Sequence, residues 1–291
     1  MGIERLTGRG LALACILGSS LVLSGCGGSL RLPGLTGDSD RQAALEAQTP
    51  QQIYLDGEAQ LSDGRPKQAG DTFGEVERLY PYSDWAKRAM LMSAFAYHEA
   101  SQYDQSRSAA QRYLEFYPAD VDAPYAQFII ALSYYDQIVD IGRDQDNTFQ
   151  ALQEMRDIIE RYPDSEYAKS AQMKFELALD HLAGKEMEIG RYYLNRGHYT
   201  AGINRFRVVV EEYQTTTQTP EALYRLVESY LSLGLAQEAQ TAAAILGHNF
   251  QGSVWYQRAY ALLTGRGLEP ANAGDSWLNQ TYRQVVLGEW R

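Results

Sequence analysis

Cysteine and histidine are scarce in this sequence of 291 residues, and their scarcity excludes several kinds of site. The two cysteines, Cys15 and Cys26, cannot build a disulfide framework or a zinc site by themselves. The four histidines are scattered, and none stands at a metal-ligand spacing from another. The signature motifs of hydrolases, metalloproteases and nucleotide-binding loops are missing too. The sequence therefore predicts a protein that is not an enzyme and needs no metal or cofactor.

Positive charge is also in short supply. The chain has 26 lysine and arginine residues against 37 aspartate and glutamate residues, a formal net charge of −11 at pH 7. A nucleic-acid partner needs a basic surface that neutralises phosphates. The charge balance therefore predicts no nucleic-acid partner.

Long hydrophobic runs and strand-like patterns are nearly absent. The sustained apolar run at residues 11–23 is thirteen residues long, too short to cross a bilayer core of about 30 Å as a helix. Almost no segment alternates apolar and polar residues with the period of two that marks a half-buried strand. The folded part of the chain is therefore predicted to be helical.

Residues 1–25 have the features of a secretory signal peptide, with a short basic region, the apolar run and small residues before a cut. The cut falls within Leu23-Ser24-Gly25-Cys26, which resembles the cleavage box of bacterial lipoproteins. That resemblance implies an S-diacylglycerol and an N-acyl group on Cys26, a covalent lipid anchor of several chains. The alternative is an ordinary secreted protein in which Cys26 is incidental.

The segments on either side of the central region are predicted to be flexible. Residues 26–49 comprise the lipidated cysteine and a stretch rich in Gly, Ser, Leu and Asp, which we interpret as a tether. Gly27, where lipoproteins of the inner membrane often have aspartate, favours the outer membrane. Residues 265–291 are interpreted as a mobile tail.

A repeat of about 37 residues runs through the central region. Three units end in an aromatic residue followed by proline, and Tyr213-Gln214 is a degenerate fourth. Small residues mark the first helix of each unit, with a valine as the exception, at intervals of 37, 37, 59 and 37 residues: Gly57, Ala94, Ala131, Gly190 and Val227. A fixed period of this length indicates a helical repeat protein.

The details within each unit agree with a tetratricopeptide repeat. A tyrosine follows the small residue by three positions in four units, and a glycine suits the turn in three. The second helix carries a small residue and, four positions later, a bulky one. These positions are Tyr97, Tyr134, Tyr193 and Tyr230; Gly64, Gly197 and Gly234; and the pairs Ala69/Phe73, Ala151/Met155 and Gly202/Phe206. The predicted fold is an all-α, tetratricopeptide-like solenoid of about five helical hairpins.

The interval of 59 residues predicts an insertion in the third unit. It contains a polar loop at residues 136–147 and an additional helix over residues 167–182. We therefore expect repeats 1–3 within residues 50–163, and a connecting helix with repeats 4 and 5 within residues 164–264.

Stacked hairpins of this kind present surfaces for binding partners. Tyrosines at the repeat positions are interpreted as core residues. Tyr82, Tyr125 and Tyr135 fit the repeat less well, and a tyrosine ring with its polar tip suits the binding of extended peptides. Two acidic pairs are interpreted as solvated helix faces rather than sites: Glu75 and Glu77, and Glu186 and Glu188.

The order of these elements resembles the BamD family, the tetratricopeptide lipoproteins of the outer-membrane β-barrel assembly machinery (BAM). The resemblance covers roughly residues 20–245 and rests on the lipoprotein box, the tether and a series of motifs. The motifs are Tyr80-Pro81-Tyr82, Arg112-Tyr113, Pro118, Tyr125, Tyr162-Pro163, Tyr192-Tyr193-x-x-Arg196-Gly197 and Ile203-Asn204-Arg205.

The resemblance implies a non-catalytic scaffold with two binding surfaces. The N-terminal repeats would bind unfolded outer-membrane β-barrel proteins, with Tyr82, Arg112 and Tyr125 bordering the site. The C-terminal repeats would dock on a POTRA domain of BamA through Asn204 and Arg205, beside other BAM lipoproteins. The protein would be lipid-anchored to the outer membrane of a Gram-negative bacterium and face the periplasm.

Two alternatives remain at this stage. Another periplasm-facing tetratricopeptide lipoprotein, such as a secretin pilotin or a coordinator of the cell-wall machinery, shares the lipoprotein box, the period and the charge. The Tyr-Pro turns and the expanded third unit favour the BamD family. A periplasmic enzyme with a helical domain is the second alternative, and the missing catalytic motifs argue against it.

Overall fold

The structure, a computed structural model, describes residues 43–271 and Leu278. The signal peptide, Cys26, the tether up to residue 42 and most of the tail therefore lie outside the described residues. The described residues from Leu45 onward belong to one compact unit. Its described part contains eleven helices after a short helical turn at residues 43–46, and no strand. The prediction of an all-α fold is confirmed.

The helices form a series of antiparallel hairpins, in which odd-numbered helices are first and even-numbered helices second. They are α1 (Pro50–Ser62), α2 (Pro66–Leu79), α3 (Asp84–Glu99), α4 (Tyr103–Phe116), α5 (Ala123–Tyr135), α6 (Asp146–Arg161), α7 (Glu166–Asn195), α8 (Tyr199–Glu212), α9 (Thr219–Ser232), α10 (Ala236–Asn249) and α11 (Val254–Thr264). Each helix packs against its neighbours in the chain, and α1, α3, α5 and α7 also pack side by side. This is the predicted tetratricopeptide-like architecture.

The turn from each second helix to the next first helix is built on an aromatic residue. Five aromatics stand at the C-cap with nearly the same backbone, φ from −136° to −124° and ψ from 38° to 55°: Tyr80, Tyr117, Tyr162, Tyr213 and Phe250. Proline explains three of these ends, because the residue before a proline avoids the helical conformation. The backbone carbonyl of each aromatic accepts the N–H of the residue three positions later. Phe250, which precedes a glutamine, is a fifth such turn that the sequence pattern did not predict.

The turn inside the hairpin needs a residue with a positive φ. The three predicted turn glycines adopt it, and Ser101 adopts it in the second unit with φ 56°. Glycine is favoured in this left-handed region because it has no Cβ.

The core follows the predicted alternation of small and large side chains. A Cβ added at Gly57 would come within 3 Å of the Phe73 ring, and one added at Gly190 would come as close to Phe206. Both phenylalanines are completely buried. The two glycines therefore let the helices of their hairpins approach closely enough for the rings to fill the space between them.

The insertion in the third unit has an ordered loop and one long helix. The amide of the buried Gln145 donates to the carbonyl oxygen of Arg143 at 3.0 Å, and Lys185 donates to the same oxygen at 3.0 Å. The predicted additional helix is present, but it does not end before the fourth repeat. It continues without a break as the 30-residue α7, because residues 183–189 contain no proline and no turn sequence.

The start of the predicted tail is attached to the fifth repeat. Arg266 donates to the carbonyl oxygen of Leu231 at 2.9 Å, and Gln240 donates to that of Glu269 at 2.7 Å. Leu278 is buried within the C-terminal core cluster. These contacts differ from the mobility that the composition of the tail predicts.

None of the described helices is both long and apolar enough to cross a membrane.

Candidate functional site

A groove of about 420 Å³ lies between the second helices of the first two repeats, α2 and α4. We call it the α2–α4 groove. It is lined by Gly74, Glu77 and Arg78 of α2, Pro81 and Tyr82 of the following turn, Met90 of α3, and Arg112 and Phe116 of α4. Two of the three residues predicted to border the precursor site, Tyr82 and Arg112, are thus brought together although they are 30 positions apart.

The turn after α2 projects Tyr82 into solvent. Tyr80 ends α2 before Pro81, and its phenolic OH donates to the carbonyl oxygen of Gln48 at 2.6 Å. The Ser83 hydroxyl caps α3 by accepting the N–H of Ala86. These contacts fix the backbone on either side of Tyr82, whose side chain is fully exposed.

The walls of the groove are aromatic and its floor is apolar. Phe116, the last residue of α4, is 64% exposed, whereas Met90 beneath it is only 3% exposed. A Cβ at Gly74 would meet no atom within 4 Å, so the helix leaves open space on this side. Large exposed aromatics beside an apolar floor are typical of surfaces that bind a partner.

The charges along the groove are paired. Arg112 donates through Nε and Nη2 to the two carboxylate oxygens of Glu77, at 2.9 and 3.0 Å, and through Nη1 to Ser108. The hydrogen bond to Glu77 raises the pKa of Arg112 above its ordinary value. On the neighbouring turn of α2, Arg78 pairs with Glu75 at 2.6 Å.

The interpretation of Glu75 and Glu77 as simple solvated faces was therefore incomplete. Glu77 of the first repeat is half-buried and forms an ion pair with Arg112 of the second repeat. A signal for this pairing was present in the sequence, because the two residues are 35 positions apart, close to one repeat period. Equivalent positions in adjacent repeats lie side by side in a solenoid.

Tyr125 does not line the α2–α4 groove. Its ring packs against Tyr167 at a centroid distance of 5.3 Å, beside Phe128, which packs on the same ring. Burial raises the pKa of its phenol above the ordinary value. Tyr135 lies elsewhere again, beneath the ammonium group of Lys174. The predicted role of Tyr125 in binding stays a prediction, at a place separate from the groove.

Asn204 and Arg205 lie on α8 in the fourth repeat. Asn204 is exposed, and Arg205 donates to Glu186 of α7 at 3.1 Å. Glu186 therefore joins the other helix of the hairpin rather than forming a solvated face only. Arg207, two positions further along α8, pairs with Glu211 at 2.8 Å.

Within the part of the chain that the structure describes, no group of three or more His, Cys, Asp or Glu side chains is arranged to hold a metal ion. Nothing in that part tests the prediction that the protein needs no cofactor.

Comparison with known proteins places these features in a family. Residues 46–245 match the family model YfiO, described as an outer membrane lipoprotein. The outer membrane protein assembly factor BamD of Caulobacter vibrioides is 43% identical over 261 residues, which covers 90% of this chain and 83% of that protein. BamD of Rickettsia prowazekii is 40% identical over 72% of this chain and 84% of that protein. BamD of Neisseria meningitidis is 26% identical over 77% and 88%.

The matched region runs from the start of the first repeat into the second helix of the fifth, and so includes both the α2–α4 groove and the Asn204–Arg205 surface. Because the family model covers most of the chain, and two relatives are 43% and 40% identical to it over 90% and 72% of its length, this chain belongs to the BamD family of outer membrane lipoproteins.

Proposed function

We propose that this chain is a non-catalytic scaffold of the outer-membrane β-barrel assembly machinery. Its N-terminal repeats bind unfolded barrel precursors, and its C-terminal repeats dock on a POTRA domain of BamA, in company with other BAM lipoproteins. Cys26 carries the lipid that anchors the protein to the periplasmic side of the outer membrane. Support comes from the family membership and from the names of the relatives as outer membrane protein assembly factors.

The α2–α4 groove is the observation that carries the precursor-binding part of the proposal. It combines exposed Tyr82 and Phe116 rings, an apolar floor and the guanidinium of Arg112. An unfolded barrel precursor exposes alternating apolar side chains and unpaired backbone carbonyls, because its strands have no neighbours yet. The rings suit the side chains, and the remaining N–H groups of Arg112 suit the carbonyl oxygens.

The Arg205 surface supports the docking part. Arg205 is held by Glu186 but still has 43% of its side chain exposed, next to the exposed Asn204. Glu186 already orients this guanidinium. Arg205 can therefore donate to a second carboxylate, from a partner, without a further loss of side-chain freedom.

Filling the groove tests precursor binding. Gly74→Leu places a branched side chain in the open space, with no Cβ clash against the body. We expect binding of a urea-denatured barrel protein, measured by fluorescence anisotropy as it is diluted, to fall about tenfold. The matched control is Gly184→Leu in α7, where a Cβ also meets nothing within 4 Å. Equal binding by Gly74→Leu and wild type would contradict a role of the groove.

Docking and anchoring are tested in cells. The tagged chain is purified from detergent-solubilised outer membrane, and its partners are identified by mass spectrometry. We expect a POTRA-bearing barrel protein among the partners. Arg205→Ala should reduce the amount of it that is recovered, and the control Arg207→Ala on the same helix should not. Recovery of a secretin or of cell-wall synthases instead would favour the alternative lipoprotein classes.

Cys26→Ala tests the anchor and should release the protein from the outer membrane. Continued fractionation of this variant with the outer membrane would mean that partner contacts, not lipid, retain it.

A further inference from the structure

The last described helix, α11, ends in the same turn as the first helices of complete hairpins. In four hairpins, the residue after the left-handed position donates its N–H to the carbonyl oxygen five positions earlier. These donor–acceptor pairs, at 2.8–3.0 Å, are Arg65–Gln60, Gln102–Tyr97, His198–Tyr193 and Leu235–Tyr230. Leu268 makes the same bond to Leu263 at 3.0 Å, directly after Gly267 with φ 71°. In each of the four hairpins this turn leads into a second helix.

One face of α11 is exposed although the same face is buried in other first helices. Gly57 and Gly190 show that this face meets the second helix of its own hairpin, because each lies against a phenylalanine there. One turn before the small residue, three first helices carry side chains that are at most 4% exposed: Met90, Gln127 and Leu223. Tyr260 stands at the corresponding position of α11, ten residues after the C-cap aromatic Phe250, and is 46% exposed. The described helices therefore leave open, at Tyr260, a face that a second helix covers elsewhere.

The chain after α11 returns to the end of the solenoid. The hydrogen bonds of Arg266 and Glu269 attach its first residues to the fifth repeat. Leu278 has a helical backbone and is 1% exposed. It belongs to the same core cluster as Ala259 and Leu263, the two buried residues of α11. The segment that follows the turn is thus held at the last helix of the stack.

The sequence around Leu278 has the pattern of an amphipathic helix. Asp275 is a residue type that caps helix starts, and Gly288 is one that follows helix ends. Between them Leu278, Tyr282 and Val285 recur at a spacing that places them on one helix face. A helix over residues 276–287 would be about 18 Å long, close to the length of about 16 Å that the eleven residues of α11 span.

We propose that residues 276–287 are the second helix of a sixth hairpin and pack on the face of α11 that carries Tyr260 and Thr264. Leu278 is the first contact of this helix, and Tyr282 and Val285 continue it along the same side. The hairpin closes the C-terminal end of the solenoid, where the last apolar face has no further repeat to cover it. Partners of the C-terminal repeats must then bind along the sides of the stack rather than at its end.

The occupant of this face is the chain's own segment rather than a second copy. Ten residues separate Leu278 from Gly267, so the segment is tethered beside α11. A short tether gives a high effective concentration, which lets the segment occupy the face ahead of a molecule from solution.

Hydrogen exchange followed by mass spectrometry on the full-length protein in detergent tests the proposal. We expect the amides of residues 276–287 to exchange at least about tenfold more slowly than those of an unfolded chain, at every protein concentration. Val285→Asp places a charge in the contact, so it should remove this protection and speed up exchange in α11. The matched control is Leu287→Asp, nine positions from Leu278 and therefore on the opposite side of the helix. It should leave the exchange of both segments unchanged.

Fast exchange of residues 276–287 in the wild-type protein, or equal effects of the two variants, would overturn the proposal. Protection that appears only at high protein concentration, together with a doubled mass in light scattering, would assign the face to a second copy. Protection that appears only when other outer-membrane proteins are present would assign it to a partner. Either of these two results also overturns the sixth hairpin. Unchanged circular dichroism and unchanged exchange in α1 to α4 establish that each variant is folded.

Discussion

Asp120, in the turn between α4 and α5, stabilises the junction of the second and third repeats. Its carboxylate accepts hydrogen bonds from Lys87 of α3, from the buried Tyr113 of α4 at 2.7 Å and from the backbone N–H of Asp122 at 3.1 Å. The bond from Lys87 contributes most, and together these donors lower the pKa of Asp120 to about 2. One carboxylate thus ties two helices and a turn together.

This arrangement predicts a specific loss of stability in acid. The pKa of an aspartate in an unfolded chain is about 3.9, so the ionised Asp120 stabilises the fold above that pH. The contribution decreases as the pH falls from about 4 towards 2 and the carboxylate becomes protonated. Asp120→Asn should lower the melting temperature at pH 6, and the gap to wild type should narrow towards pH 2. Circular dichroism measures both melting temperatures. A difference between variant and wild type of equal size at pH 6 and at pH 2 would contradict this account.

The residues of the site were only partly predictable from the sequence. Tyr82 and Arg112 were found because they stand outside the repeat pattern or within a family motif. Glu77 was not found: its distance of 35 positions from Arg112 indicates that the two residues are neighbours, but whether their side chains pair depends on how the second helices are rotated. Tyr125 was expected beside Arg112, yet it lies in the first turn of α5, where the ring packs towards α7 instead.

At the scale of single elements, the turns are what the sequence determines most clearly. An aromatic C-cap followed by proline predicts the end of a second helix, and a glycine seven positions after the small residue predicts the turn within the hairpin. Phe250 was missed because it is a phenylalanine with no proline after it, whereas the other four C-caps are tyrosines, and α11 was therefore not distinguished as a separate first helix. The continuity of α7 was missed because periodicity alone does not show where a helix fails to stop.

Ser101 occupies a turn position that glycine fills in three other hairpins, and this leads to a prediction of increased stability. An L-residue in the left-handed region costs about 1–2 kcal/mol, which glycine avoids. Part of this advantage is lost, because glycine gives up more conformational freedom on folding than serine does. We expect Ser101→Gly to raise the free energy of unfolding by about 0.5–1 kcal/mol in urea titrations. The reverse change at an equivalent turn, Gly64→Ser, should lower it. Destabilisation by Ser101→Gly would show that the serine makes a compensating contact.

At the scale of the whole molecule, the described helices make their main contacts with near neighbours in the chain. The stability of such a solenoid is close to a sum over repeats and over the interfaces between adjacent repeats. A defect in one hairpin should therefore be felt locally.

Gly190→Ala tests this locality. The added methyl group overlaps the Phe206 ring and should cost about 1–3 kcal/mol in strained packing. Amide hydrogen exchange should accelerate in α7, α8 and α9, and remain unchanged in α1 to α4. The matched control in the same helix is Gly184→Ala, where the methyl group meets nothing and should slow exchange slightly through better helix propensity. Uniform acceleration along the chain would show that the protein unfolds as a single unit.

The unbroken α7 fixes a distance within this protein. Thirty residues of α-helix are about 45 Å long, and this single rod belongs both to the insertion after repeat 3 and to the hairpin that carries Arg205. A flexible linker at the same place would let the two halves of the scaffold swivel, and the spacing between them would vary from molecule to molecule. With a stiff rod between them, the insertion and the hairpin that carries Arg205 keep the same spacing in every molecule.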